Sequence, residues 1–151
     1  MKKTLLALSV AALAGCQTTP ADAPRATANL QPTKGSTVRG TANFIEVGGK
    51  VRVTAAVSGL RPNAEFGFHI HEAGDCSSGD GMSAKGHFNP HGKPHGHHGT
   101  MERHAGDMPN LRSDASGNAS VTVDLDVITI SPGTASIIGR DFDIELIAGV
   151  M

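Results

Sequence analysis

The chain has 151 residues, a formal net charge of −1, and neither Trp nor Tyr. It offers no basic run and no stacking aromatics with which to hold nucleic acid, so that class of partner is excluded. Once an export segment is set aside, enough chain remains for one domain with a core of its own.

Residues 1–15 read as an export signal. Lys2 and Lys3 supply a positive start, Leu5 to Leu13 is a short apolar run, and Leu13-Ala14-Gly15-Cys16 closes it with small residues. The run is too short to span a bilayer as a stable helix. Ordinary cleavage near Ala14 is one reading. The other is that Cys16 becomes the first residue of the mature chain and is acylated, because Leu-Ala-Gly-Cys resembles a bacterial lipoprotein processing box. Acyl chains would anchor the protein in a membrane at ~0.8 kcal/mol per buried methylene. The remainder would then lie on the periplasmic side of a bacterial membrane. Residues 16–27, rich in Thr, Ala and Pro and without apolar periodicity, are expected to be a tether. The domain is expected over 28–151.

Strand-like alternation follows. Ser36 to Val47 leads through Gly48-Gly49 into Lys50 to Ser58, a hairpin signal. Val51, Val53, Ala55 and Val57 fall on one face of the return strand, and Lys50, Arg52 and Thr54 on the other. Glu65 to His71 alternates again, with Phe66, Phe68 and Ile70 on one side and Gly67, His69 and His71 on the other. From Glu72 to about Asn110 the pattern disappears in favour of Gly, Pro, His, Ser and Asp. So long a stretch without structure in a compact domain is usually functional. It has too little apolar surface to order itself by burial, so another agent is expected to hold it. Alternation resumes at Asn118 to Leu125, and Ser136 to Ile147 is expected as a further strand. The sum is an all-β sandwich or barrel with one long loop.

His69 and His71 leave one face of their strand with backbones roughly 6.5–7 Å apart. Two imidazoles so spaced can converge on one metal ion at about 2.0 Å from each nitrogen. The loop adds His87, His91, His95, His97, His98 and His104, then Asp107. A nonspecific histidine-rich tract is one reading. The other is a closed tetrahedral site of three imidazoles and one carboxylate, whose ion would supply ordering energy that the loop's composition lacks.

Gly67-Phe68-His69-Ile70-His71-Glu72, Gly74-Asp75-Cys76, Gly86-His87-Phe88-Asn89-Pro90 and Arg103-His104-Ala105-Gly106-Asp107-Met108-Pro109-Asn110-Leu111 resemble the copper/zinc superoxide dismutases of the exported bacterial lipoprotein type. The resemblance runs from about Ala28 to Arg140. It implies a Greek-key β-sandwich or barrel with a long metal-binding loop, and leaves open whether the final strand is present. It also implies that His69, His71 and His87 bind copper and carry the catalysis. His87 would bridge to zinc, which His95, His104 and Asp107 would complete. His91, His97 and His98 match no ligand and are read as solvated. The implied activity converts superoxide to dioxygen and hydrogen peroxide by copper redox cycling. Family members also pair, which leaves a homodimer open.

After Arg140 the likeness deteriorates. The family's fourth copper histidine falls at Glu145, and no histidine follows His104. The partner expected for Cys76 is absent, as is the charged loop whose arginine guides superoxide; Arg140 matches a different, earlier arginine. Three readings follow. The chain is a superoxide dismutase weakened by these losses, a non-catalytic lipid-anchored copper- and zinc-binding protein, or an inactive truncated product with an atypical C-terminus.

Overall fold

The computed structural model describes residues 21–140 and the backbone of residues 142–146. The export segment and Cys16, with the acylation expected there, lie outside the described residues. In chain order the strands are β1 (Arg25–Leu30), β2 (Arg39–Val47), β3 (Lys50–Ser58), β4 (Glu65–Ile70), β5 (Leu111–Arg112), β6 (Ala119–Leu125) and β7 (Phe142–Leu146). A single 3-10 turn, Met82–Ala84, interrupts the long loop. Among the described residues no helix is long and apolar enough to cross a membrane.

The strands form two antiparallel sheets, one ordered β1-β2-β3-β6 and the other β5-β4-β7. After β3 the chain builds β4 and β5 in the second sheet, then returns through β6 to pair with β3, a Greek-key crossing. The β2–β3 hairpin turns on Gly48 and Gly49, at φ 59° and 78°, with Val47 paired to Lys50. Two consecutive left-handed residues are what a tight primed turn requires, and glycine adopts them without a steric penalty.

Alternation determines the core. Val51, Val53, Ala55 and Val57 of β3 are buried, as are Phe66, Phe68 and Ile70 of β4, and both sets join one apolar cluster with Phe44, Leu111 and Leu125. Strand β7 pairs with β4 in antiparallel register. Phe142, Ile144 and Leu146 pair with Ile70, Phe68 and Phe66, while Asp143 and Glu145 pair with His69 and Gly67. Within β4, Phe66, Phe68 and Ile70 thus take the core face, and His69 the other.

The structure departs from the sequence reading in three places. Residues 25–27, expected in the tether, belong to β1, whose Arg25 pairs with Ile45. Small Ala and Thr side chains give this strand too weak an apolar signal to read alone. The strand expected over Ser136 to Ile147 is confined among the described residues to Phe142–Leu146. Gly139 at φ 79° breaks the extended path, and the Arg140 amide turns back to the Ile137 carbonyl at 3.3 Å. Third, part of the long loop is held by burial after all, because Ala84, Phe88, Ala105 and Met108 enter the core.

Candidate metal centre

Two loop segments are stitched to β4 by backbone hydrogen bonds. The Phe88 amide donates to the Ile70 carbonyl at 2.7 Å, the Ile70 amide to Gly106 at 3.0 Å, and the Met108 amide to Phe68 at 3.2 Å. Gly106 is required for this closeness, since a Cβ there would collide with the Ile70 carbonyl oxygen. The stitching brings His87 opposite His71 and Asp107 opposite His69, as isolated antiparallel bridges. Residues far apart in the chain thus meet over the non-core face of β4.

His69 and His71 are 7% and 6% exposed. His87 is the hub of the ring cluster. Its centroid lies 3.9 Å from His69, 5.3 Å from His71, 5.2 Å from His95 and 5.5 Å from His104. Asp107, 2% exposed, lies beneath. Its Oδ1 is 3.0 Å from His87 Nδ1, 3.1 Å from His95 Nδ1 and 3.5 Å from His104 Nδ1, and His104 Nδ1 is 3.4 Å from His87 Nδ1. A tetrahedral ion with bonds of about 2.0–2.1 Å needs ligand atoms about 3.3–3.4 Å apart. These four separations therefore lie within a few tenths of an ångström of what such an ion needs. The Gly96 and His104 amides hold the other carboxylate oxygen at 3.1 and 3.0 Å.

Protonation suits metal binding. Burial first, then repulsion from His87, pushes the His69 imidazole down to about 4, leaving it neutral near pH 7. Burial alone would raise the Asp107 carboxyl. The His87 hydrogen bond and the Gly96 and His104 amides override it and hold the group well below the usual carboxylate range. His71 Nδ1 lies 2.7 Å from the Lys85 carbonyl oxygen, which can only accept. That contact fixes the proton on Nδ1 and leaves the Nε2 lone pair for a ligand. The buried Nδ1 of His69 has no hydrogen-bond partner among the described residues, which is the condition of a ligand atom awaiting its ion.

His69, His71, His87, His95, His104 and Asp107 are thus gathered in one place. One grouping cuts across the expected pair of sites. Ligand atoms of His69, His87, His95 and Asp107 all lie within 4.8 Å of one another, because the His69 ring stacks on His87. The Nδ1 and Oδ1 separations define the tetrahedral set better, since at 3.0–3.5 Å they match the ligand spacing of a single ion. His91 and His97 are exposed, in keeping with the solvated reading. His98 differs from these two in being half-buried. Cys76 is exposed.

A latch joins the segments that carry these ligands, and the sequence reading missed it. The Arg140 guanidinium stacks 3.6 Å from the Phe88 ring centroid and donates to the Glu72 carbonyl at 2.6 Å and the Ser136 carbonyl at 2.9 Å. Glu72 in turn accepts from the Asn89 amide at 2.8 Å. One side chain therefore ties the residue after His71 to the residues after His87.

Antiparallel sheets that collect five imidazoles and a carboxylate over one strand define a metal-binding β-sandwich protein. Comparison with known proteins makes the class specific. The sequence model of the copper/zinc superoxide dismutase (SODC) family matches residues 38–145. The chain belongs to that family. It is 45% identical over 109 residues to the Cu-Zn superoxide dismutase 2 of Aquifex aeolicus (strain VF5), covering 72% of this chain and 63% of the relative. It is 43% identical over 103 residues to the Cu-Zn superoxide dismutase of Paramecium bursaria Chlorella virus 1, covering 68% of this chain and 54% of the relative. The crystal structure of the clock protein EA4 superposes with a TM-score of 0.72 at 38% identity, covering 84% of this chain and 78% of that one. The chain thus spans less than two thirds of the length of these two relatives.

Proposed function

We propose that the chain binds zinc through His87, His95, His104 and Asp107, binds copper through His69, His71 and His87, and dismutates superoxide. The observation that carries this is the set of three ring Nδ1 atoms grouped around Asp107 Oδ1 at 3.0–3.5 Å. Copper, when bound, supplies a reversible one-electron change, and zinc a fixed positive charge. Two superoxide anions and two protons give one dioxygen and one hydrogen peroxide. The protein's part is to position and to move protons. The Lys85 carbonyl keeps the His71 lone pair on Nε2, and His87 Nδ1, 3.0 Å from Asp107 Oδ1, stands where zinc would be held. That leaves Nε2 of His87 as the atom that takes up and returns a proton. The small-residue run ending in Cys16 supports the further proposal that the protein is acylated there and held on the periplasmic side of a bacterial membrane. A homodimer is compatible with this reading.

A second reading is a lipid-anchored copper and zinc binder without turnover. It is favoured by an acidic residue, Glu145, at the register position opposite Gly67, where the family resemblance expects a histidine. Superoxide decay separates the two. The full chain is loaded with both metals, freed of loose ions, and compared with a His69→Ala, His71→Ala variant. Faster decay that requires both histidines supports the enzyme. Equal decay with zinc retained in both removes the activity and leaves the binder.

A further inference from the structure

The described methionines differ sharply in their access to solvent. Met101 is 91% exposed and Met82 78%, whereas Met108 is 3% exposed and packed in the core. Met101 lies in the bend that follows the His97–Thr100 turn, three residues before His104. That bend is held by other groups. The Thr100 amide and hydroxyl donate to the His97 carbonyl at 2.9 and 2.8 Å. The Arg103 guanidinium donates to the Thr100 carbonyl at 2.7 Å and to Asp126 at 3.1 Å. Met82 stands in a turn fixed in the same way, its amide donating to the Asp80 carboxylate at 3.0 Å and its carbonyl accepting from the Lys85 amide at 3.3 Å. Both thioethers are thus presented to solvent on backbone that does not depend on them.

We propose that Met101, and with it Met82, is a modification site for hydrogen peroxide, oxidised to the sulfoxide while the fold and the zinc-binding loop stay intact. The inference rests on the reading above only for the origin of the oxidant, since peroxide is a product of dismutation. The thioether sulfur attacks one peroxide oxygen; the O–O bond breaks and an S–O bond forms. Sulfur loses two electrons and the peroxide gains them, and the departing hydroxide takes the remaining proton and leaves as water. A sulfoxide is polar and can be reduced again by a methionine sulfoxide reductase. In solvent it sacrifices no packing, whereas in the core it would. Met108 is reached only through locally opened forms of the chain, so its oxidation is slower by at least about 10-fold.

The test uses the full chain with zinc bound and copper left out, so that added hydrogen peroxide is the only oxidant and failure here leaves the dismutase reading untouched. Samples taken over time are digested with trypsin and weighed, since Lys85 and Arg103 divide Met82, Met101 and Met108 among three peptides. The expected result is the gain of one oxygen at Met101 and at Met82, with Met108 at least about 10-fold slower. Zinc affinity of the oxidised chain stays within about two-fold of the untreated one. A methionine sulfoxide reductase with a thiol restores the original mass. Met101→Leu abolishes the gain in its own peptide and leaves that at Met82 unchanged. Oxidation of Met101 no faster than that of Met108 overturns the inference. So does a loss of zinc on oxidation that the Met82→Leu, Met101→Leu double variant prevents.

Discussion

The four-stranded sheet and the loop over residues 71–110 stay in place for different reasons. The sheet pairs long strands in continuous register, and Val51, Val53, Ala55 and Val57 of β3 are buried while the residues between them are exposed. The loop has little regular structure, and four buried hydrophobic side chains with a few backbone bonds to β4 fix only parts of it. Between Phe88 and Ala105, His95 is 60% exposed at the side chain and is held chiefly by Asp107. A region ordered by apolar burial keeps its shape without metal; a region ordered by donor atoms around one carboxylate depends on what those atoms bind.

The sharpest attempt to break that contrast is Phe68→Ala. Phe68 is fully buried on the core face of β4, directly behind the histidine face. Truncating a buried Phe costs about 3–5 kcal/mol. The expected outcome is a fall of that size in the denaturant-derived stability of the metal-free protein, measured by fluorescence of an extrinsic dye or by circular dichroism. Metal restores only what binding to the native state adds, because the lost packing lies on the other face. If added metal erased the deficit without reference to its concentration, the two faces of β4 would not be separable as argued.

The two regions also differed in how far their sequence disclosed them. The alternation of Val51, Val53, Ala55 and Val57 is a local signal, and β3 has the bounds it suggested. His69 and His71 were equally local, since a strand alone puts i and i+2 on one face. His87, His95, His104 and Asp107 could be joined to them only through family resemblance, because loop composition does not say which residues meet. β1 escaped notice because its Ala and Thr carry little apolar weight. The Arg140 latch was not legible at all. Its contact with Glu72 spans 68 positions and depends on where a flexible side chain comes to rest.

That latch gives the second prediction, of intermediate size. Arg140→Met keeps an apolar stem against Phe88 but removes the hydrogen bonds to Glu72 and Ser136. Arg140 acts through other residues rather than on a metal, so the expected loss in affinity at the His71–His87 pair is roughly 10-fold, the low end for outer-shell partners. Competition titration reads it, and the Cu(II) resonance spectrum should broaden as His87 is less well placed. Arg140→Lys, lacking the planar stack and the forked donors, should recover little of it. A drop in thermal stability with unchanged affinity and spectrum would make Arg140 a fastener of the chain alone.

The smallest expected effect tests whether the sheet reaches into the second region. Glu46 of β2 accepts from the Ile130 and Ser131 amides at 3.3 and 3.2 Å and from the Ser131 hydroxyl at 3.1 Å, all through Oε2. It thereby fixes the start of the segment that ends at Arg140. Glu46→Gln keeps the shape and one acceptor oxygen but loses the charge that strengthens these bonds, so stability should fall by about 1 kcal/mol. Metal affinity should stay within about two-fold, a change of less than ~0.5 kcal/mol, because Arg140 is held at its far end by Glu72, Phe88 and Ser136 rather than by Glu46. If affinity fell as far as in Arg140→Met, the sheet would govern the centre through this segment. The separation between a burial-held frame and a donor-held loop would then have to be redrawn with residues 126–140 inside the loop's domain of control.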